Sequence, residues 1–177
     1  MTATTLITDD KRHPRGGIYF DDFAVGQLIR HRITRSVTQM DNVLFSSLTL
    51  NTQPLHLNED FAKRTAFGRR IMNGILTMGL VVGLTVAELT DQTIVANLSY
   101  DKVLHPAPVF AGDTIYVETS VIERRESATK KDRGIVRLRH RGLNQDGTLV
   151  CEIERSVMFL RRPSAPAAPG AAAPPSA

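Results

Sequence analysis

Two short segments of the sequence combine residue types that could transfer protons and stabilise negative charge. His56 closes the segment at residues 51–56 (NTQPLH), and an imidazole exchanges its proton near neutral pH. Pro54 fixes one backbone dihedral and removes one N–H, which favours an irregular loop that presents His56. Asn73-Gly74 precedes a long apolar stretch, so a helix that begins there would direct free N–H groups at a developing oxyanion.

Each of these residues also has a purely structural interpretation. An isolated histidine is more often a side chain whose ring is satisfied by a backbone carbonyl. A glycine at a helix start can simply allow close packing, and packing is compatible with oxyanion binding at Gly74. For His56, the surrounding motif favours a role in proton transfer over the structural interpretation.

Three motifs follow one another along the chain: NTQPLHLN at 51–58, FGRRIMNGIL at 67–76 and PVFAGDT at 108–114. They resemble, in order, the hydratase motif, the Phe-Gly…His-Gly stretch and the proline–glycine–aspartate turn of MaoC-like (R)-specific enoyl-CoA hydratases. The resemblance covers residues 20–160. It implies reversible hydration of an enoyl-CoA thioester. Our hypothesis is that His56 is the main acid/base, that Asn51 orients water and that the Gly74 N–H binds the thioester oxygen.

The phrase DNVLFS at 41–46, followed by 51–56, resembles one branch of that family, the mesaconyl-CoA hydratases and methylmalyl-CoA dehydratases. This implies a short, branched, dicarboxylic acyl-CoA, of mesaconyl-CoA or itaconyl-CoA type. Its free carboxylate would favour an arginine in the pocket. Arg69 and Arg70 are candidates for that carboxylate or for the CoA phosphates, and a solvated surface pair is the alternative. Gln53 and Asn73 complete the predicted substrate-binding set.

The sequence departs from the family pattern at two positions. Asn51 stands where the family has its catalytic aspartate, and a carboxamide cannot act as a general base. Asn73 replaces the histidine usual before the helix glycine. Either His56 transfers the protons while Asn51 orients the water, or another carboxylate serves. The nearby carboxylates, which also suit the first turns of helices, are Asp41, Glu59 and Asp60.

Two other classes of function stay open at this point. An acyl-CoA thioesterase on the same fold would need a carboxylate that activates water against the carbonyl carbon, and a fold does not fix a function. A non-catalytic partner subunit of a heteromeric hydratase is favoured by the loss of the aspartate. Retention of His56 argues against it.

Hydrophobic periodicity predicts the elements that position these residues. Thr38 and Asp41 predict a capping box before a first helix. Residues 74–89 are apolar nearly all round and predict a buried central helix, with another backbone close to Gly79 and Gly83. Strands are predicted at 94–98, 114–122, 135–141 and 148–159. The expected architecture is α+β, a single hot-dog fold whose long antiparallel sheet wraps around the central helix.

Several residues outside the motifs have patterns that predict their place in the fold. Cys151 alternates with apolar neighbours and is expected in the core, and His105 lies in a proline-flanked turn and is expected to be structural. A group of basic residues could bind CoA phosphates or form a solvated sheet face. That group consists of Arg124, Arg125, Lys130, Lys131, Arg137, Arg139 and Arg141. An aromatic group, Tyr19, Phe20 and Phe23, is expected to cover one end of the core.

The composition limits the classes of protein to which this chain can belong. Of 177 residues, 42% are hydrophobic, only 6% are aromatic and one is cysteine, which predicts an aliphatic core and excludes an internal disulfide. The net charge is +4, but the sequence contains no run of five like charges, which argues against a nucleic-acid-binding function. We expect a loose arm at 1–16, the domain at 17–162 and a disordered tail at 163–177 that contains only Pro, Ala, Ser and Gly.

The expected cellular setting follows from these features and from the resemblance. We expect a cytoplasmic protein that binds an acyl-CoA substrate and uses neither a metal nor another cofactor. No membrane or nucleic-acid partner is expected. Because a single sheet has open edges, and because the family resemblance implies it, a homodimer with the site at the subunit boundary is expected.

Overall fold

The computed structural model describes residues 12–163, which form one antiparallel sheet with helices on one face. The strands are β1 (Leu28–Arg30), β2 (Arg35–Ser36), β3 (Ile94–Leu104), β4 (Thr114–Glu126), β5 (Arg133–Leu143) and β6 (Leu149–Leu160). The helices are α1 (Gln39–Leu48), α2 (Pro54–Leu57), α3 (Glu59–Lys63), α4 (Gly74–Gly83) and α5 (Val86–Leu89), after a short 3-10 turn at Phe20–Asp22. The strand order is β1-β4-β5-β6-β3, and β2 also pairs with β4. The predicted α+β architecture is confirmed.

The four predicted strands are confirmed; β3, β4 and β5 are longer than the predicted runs, whereas β6 has the predicted length and is shifted by one residue. In β5, Val136, Leu138 and His140 are buried while the arginines between them are not, as the alternation predicts. The largest extension is in β3, which continues to Leu104. The strands β1 and β2 were not predicted, because two or three residues are too few to show a period.

Helix α4 is the central helix, but three predictions about it are wrong. The helix ends at Gly83, and α5 begins only after Leu84 and Thr85. Nor is it buried all round: Thr77 and Val81 are buried, whereas Ile75 on another side is 60% exposed. A Cβ added to Gly79 or Gly83 would meet no atom within 4 Å, so no backbone among the described residues packs against them. The helix was misjudged because its composition says nothing about which of its faces this chain covers.

Two hydrophobic clusters occupy the helix-facing side of the sheet. One packs Val81 and Leu84 against the first halves of β4 and β6. The other packs Leu89 against their second halves and includes Phe20 and Phe23, two of the three aromatic residues predicted to cover the core; Tyr19 is buried but lies outside this cluster. Cys151 is fully buried in the first cluster, and burial raises the pKa of its thiol to about 11. It is a core residue, as predicted.

A line of hydrogen-bonded polar side chains, here called the buried polar chain, separates the two clusters. Arg155 Nε donates to His140 Nε2 at 2.8 Å, and His140 Nδ1 lies 2.8 Å from Thr119 Oγ1. Thr119 Oγ1 lies 2.8 Å from His31 Nε2, and His31 Nδ1 lies 3.2 Å from Glu88 Oε2. Because the guanidinium can only donate, neutral imidazoles fit when every bond points from Arg155 towards Glu88. Burial lowers the pKa of His31 and, further, that of His140, which favours these neutral forms.

The described residues begin inside the predicted arm. Arg12 forms an isolated bridge with Ile18, and a Cβ on Gly16 would lie 2.2 Å from the carbonyl oxygen of Ala87. Residues 12–16 therefore contact the domain, whereas 1–11 and 164–177, most of the predicted arm and tail, lie outside the described residues. Between 12 and 163, no helix has both the length and the hydropathy that crossing a membrane requires.

Candidate active site

A cavity of about 380 Å³ opens beside the start of α4. Its walls come from α2, from the segment between Phe67 and Thr77, and from the turn between His105 and Val109. Most lining residues are apolar, and of the described residues that line it, only His56 and His105 carry titratable side chains. The cavity therefore combines an apolar wall with two imidazoles.

His56 lies in the short helix α2, which begins at Pro54. Its Nδ1 lies 3.0 Å from the carbonyl oxygen of Ile71. Because a carbonyl can only accept, this contact places the proton of the neutral ring on Nδ1. Nε2 is then the proton-accepting nitrogen, on a side chain that lines the cavity.

Asn42, a fully buried residue of α1, ties the segments around His56 together. Its Nδ2 donates to the carbonyl oxygens of His56 at 3.0 Å and Ile71 at 3.1 Å. Its Oδ1 accepts from the backbone N–H of Asn73 at 2.8 Å. One carboxamide thus fixes the spacing between the histidine and the start of α4. Asn42 was quoted in the branch motif at 41–46, but no positioning role was predicted for it.

Gly74 begins α4 beside the cavity, and Asn73 caps the helix. Asn73 Oδ1 accepts from the Ile75 N–H at 2.9 Å, so this side chain serves the helix and does not line the cavity. The N–H of Gly74 belongs to the first turn and has no intrahelical acceptor. It lies where the helix dipole favours negative charge. The structure thus brings His56 and Gly74, two of the three predicted catalytic residues, to one cavity.

Asn51 and Gln53 lie next to the cavity segment but do not line it. Asn51 Oδ1 accepts from the Gln53 N–H at 3.2 Å, a contact that shapes the loop before α2. The water-orienting role of Asn51 and the substrate contact of Gln53 stay predictions.

The two arginines of the 67–76 motif are engaged differently. Arg70 Nε donates to Glu59 Oε2 at 2.8 Å, whereas the Arg69 guanidinium stacks 3.8 Å from the ring centre of Phe110. Neither arginine lines the cavity. Each lies one contact from the wall, since Arg70 adjoins Ile71 in the chain and Arg69 stacks on Phe110, which follows Val109.

The three alternative carboxylates all have other partners. Asp41 completes the capping box with Thr38, as predicted, and hydrogen bonds from Thr38 lower the pKa of this carboxyl. Asp60 pairs with Arg64, and Glu59 pairs with Arg70. No carboxylate among the described residues lines the cavity.

His105 was predicted to be structural, but the structure places its ring on the cavity wall. A Cβ built on Gly74 would lie 3.3 Å from His105 Nε2. Burial lowers the pKa of His105, which favours its neutral form. The one signal in the sequence was its position just before the 108–114 motif.

The arginines of the opposite sheet face form ion pairs. Arg137 and Arg139 both contact Glu154, at 2.9 and 2.7 Å, and Arg141 lies 3.5 Å from Glu118. These contacts favour the interpretation of a solvated sheet face over that of a phosphate site.

A family model described as "MaoC like domain" matches residues 22–142. The chain is 32% identical over 158 residues to a mesaconyl-CoA hydratase of Cereibacter sphaeroides, covering 89% of this chain and 46% of the relative. It is 34% identical over 152 residues to a beta-methylmalyl-CoA dehydratase of Chloroflexus aurantiacus, covering 85% of this chain and 43% of the relative. The chain thus spans less than half the length of these two relatives.

Shorter relatives are covered more fully. An (R)-specific enoyl-CoA hydratase of Aeromonas caviae is 31% identical over 128 residues, 71% of this chain and 87% of the relative. The structure of a MaoC-like dehydratase from Rhodospirillum rubrum superposes with a TM-score of 0.75 at 29% identity, over 84% of this chain and 100% of that one. A double-hotdog protein of Mycobacterium tuberculosis superposes at 0.76 with 24% identity, over 86% of this chain and 47% of that one. This last match confirms the predicted hot-dog fold.

Proposed function

This chain belongs to the MaoC-like domain family, and from that premise we propose that it catalyses the reversible hydration of an enoyl-CoA thioester. The observation that carries the proposal is the hydrogen bond of His56 Nδ1 to the Ile71 carbonyl. That bond leaves a proton-accepting Nε2 in the same cavity as the Gly74 N–H. A base and an oxyanion donor on one apolar cavity are what the addition of water to an enoyl thioester requires.

In the proposed reaction, the thioester oxygen accepts a hydrogen bond from the Gly74 N–H. His56 Nε2 takes a proton from water as the water oxygen bonds to the β-carbon. The electron pair of the carbon–carbon double bond moves into the thioester, whose oxygen becomes an enolate. The imidazolium then returns its proton to the α-carbon, so the net change is the addition of one water. Asn51 is proposed to orient that water.

The proposed substrate is a short, branched, dicarboxylic enoyl-CoA of mesaconyl-CoA or itaconyl-CoA type. Support comes from the names of the relatives, mesaconyl-CoA hydratase and beta-methylmalyl-CoA dehydratase. Among the two motif arginines, we assign the substrate carboxylate or the CoA phosphates to Arg69, since Arg70 is already paired with Glu59. A bidentate arginine contact suits either anion.

A second copy of the chain is the proposed partner. Among the described residues, β3 pairs only with β6, which leaves a row of N–H and C=O groups open along an 11-residue strand. Val95, Leu98 and Tyr100 of this strand and Ile75 of α4 are exposed. Pairing of two β3 edges would cover these side chains. Analytical ultracentrifugation tests this proposal, because a monomer at micromolar concentration would exclude it.

The two competing functions are less well supported. A thioesterase needs a carboxylate to activate water, and none of the described residues that line the cavity supplies one. The loss of the aspartate at Asn51 favours a non-catalytic subunit. The hydrogen bond that leaves His56 with a proton-accepting Nε2 on the cavity argues against it.

The test supplies the purified protein with crotonyl-CoA, mesaconyl-CoA and itaconyl-CoA in separate reactions. Loss of the conjugated thioester absorbance and release of free thiol are followed together. Absorbance loss without thiol supports hydration, whereas thiol release supports a thioesterase. His56→Ala is the test variant, and His13→Ala, a histidine outside the cavity, is its control. No reaction with any enoyl-CoA, or full activity in His56→Ala, would overturn the proposal.

A further inference from the structure

His105 and Gly74 meet across the mouth of the cavity, although they are far apart in the sequence. The three atoms nearest to a Cβ built on Gly74 all belong to the His105 ring: Nε2 at 3.3 Å, and Cδ2 and Cε1 at 3.5 Å. Nε2 is therefore the ring atom closest to the space beside Gly74. A side chain at position 74 would crowd that space, so glycine keeps it open for another molecule.

The N–H of Gly74 belongs to the first turn of α4, on the cavity that Gly74 lines, and has no intrahelical acceptor. An oxygen atom that accepts from this N–H would enter the cavity that the His105 ring also lines. Neither ring nitrogen of His105 has a hydrogen-bond partner among residues 12–163. Nε2 is consequently available to a ligand, as a donor in the tautomer that carries its proton there.

The neutral form of His105 suits a hydrogen-bond donor that does not transfer its proton. Partial desolvation at the cavity wall lowers the pKa of its imidazole although the residue as a whole is exposed, and no carboxylate of the described part of the chain lines the cavity to oppose this. A neutral imidazole carries one N–H and can polarise a carbonyl without protonating it. His56 differs, because its Nδ1 is held by the Ile71 carbonyl and its Nε2 is left to accept protons.

We propose that the Nε2–H of His105 is a second donor to the thioester oxygen, beside the N–H of Gly74. This assignment rests on the proposed hydratase function. It divides the work between the two cavity histidines: His56 moves protons, and His105 stabilises the enolate oxygen. A pair of donors at an oxyanion is the arrangement in which each donor contributes about 10²–10³ in rate.

A kinetic experiment compares two His105 variants that differ in the presence of a side-chain donor. His105→Leu keeps an apolar side chain without a donor, and His105→Gln keeps an N–H. We expect kcat/KM for the best enoyl-CoA to fall about 100-fold in His105→Leu. His105→Gln should recover most of that loss, and thermal melts should show that both variants are folded. An equal loss in both variants, or no loss in His105→Leu, would refute the assignment.

A spectroscopic experiment separates this assignment from the hydratase proposal. In a His56→Ala background, 2,4-hexadienoyl-CoA would be bound without turnover, and polarisation of its thioester carbonyl would shift its absorbance to the red. We expect the shift to shrink in His56→Ala/His105→Leu and to persist in His56→Ala/His105→Gln. If the wild type hydrates no enoyl-CoA but the shift still depends on His105, the hydratase proposal fails and the donor assignment stands. A shift unaffected by His105→Leu overturns the donor assignment alone. So does a loss confined to mesaconyl-CoA with crotonyl-CoA hydration intact, because His105 would then bind the second carboxylate.

Discussion

Two pairs of histidines in the same domain differ in their location and in their hydrogen-bond partners. His31 and His140 belong to the buried polar chain, where both nitrogens of each ring have hydrogen-bond partners. His56 and His105 line the cavity, where His56 has a partner on Nδ1 only and His105 has none among the described residues. The four rings are chemically identical, so burial and partners decide what each can do. A ring with both nitrogens committed holds structure, and a ring with a free nitrogen on a cavity can act on a ligand.

The largest expected effect is a loss of catalysis, and it should follow a change in the cavity pair and not in the buried pair. His56→Ala should lower kcat about 10²- to 10⁴-fold, because it removes the proposed acid/base. Its free energy of unfolding should change little, since the side chain lies at a cavity wall. Steady-state kinetics and urea denaturation measure the two quantities. A variant that is unstable but catalytically intact would reverse the comparison.

The buried pair should show the opposite behaviour. His140→Leu removes the acceptor of Arg155 Nε and the partner of Thr119, both in the interior. Leaving these groups unsatisfied should cost about 2–4 kcal/mol of unfolding free energy. Activity per folded molecule should be unchanged. Thr119→Ser is the matched control, because it keeps the hydroxyl and should cost less than about 1 kcal/mol. A His140→Leu variant as stable as the wild type would show that the chain contributes nothing.

As the pH falls, protonation of the buried pair should lower the free energy of unfolding before any paired carboxylate is protonated. The folded-state pKa values of His31 and His140 are lowered, so below about pH 6.5 the unfolded chain binds more protons than the folded one. Stability is therefore complete above that pH and is lost as the pH falls. Between pH 7 and 5.5 we expect a loss of about 1–2.5 kcal/mol, measured by urea denaturation at each pH. His140→Leu should show a shallower slope, and an identical slope would assign the effect to other groups.

The smallest expected effect concerns Cys151, which shares the interior with the buried pair. Its thiol is fully buried and its pKa is raised to about 11. At pH 8 a disulfide reagent such as dithionitrobenzoate should react only after denaturation. Catalysis should be unchanged by prior exposure of the folded protein to the reagent. Rapid labelling of the native protein would mean that this part of the core opens easily.

The accuracy of the sequence-based predictions depended on how local each feature is. The strands and the capping box at Thr38 depend on neighbouring residues, and they were predicted well. The exposed side of α4 could not be predicted, because apolar composition does not reveal which surfaces a single chain covers. The convergence of His56 and Gly74 was expected from the family resemblance alone. His105 and Asn42 act through contacts with distant segments, at Gly74 and at Ile71 and Asn73, and no period or spacing encodes such contacts.

The buried polar chain also has a direction. Its hydrogen bonds run one way, from the guanidinium of Arg155 to the carboxylate of Glu88, with the Thr119 hydroxyl in the middle. No single member can turn round, because a reversed hydroxyl would meet a donor on one side and leave an acceptor bare on the other. The two imidazoles and the hydroxyl therefore form one directional unit, in which the orientation of each hydrogen bond fixes that of its neighbours.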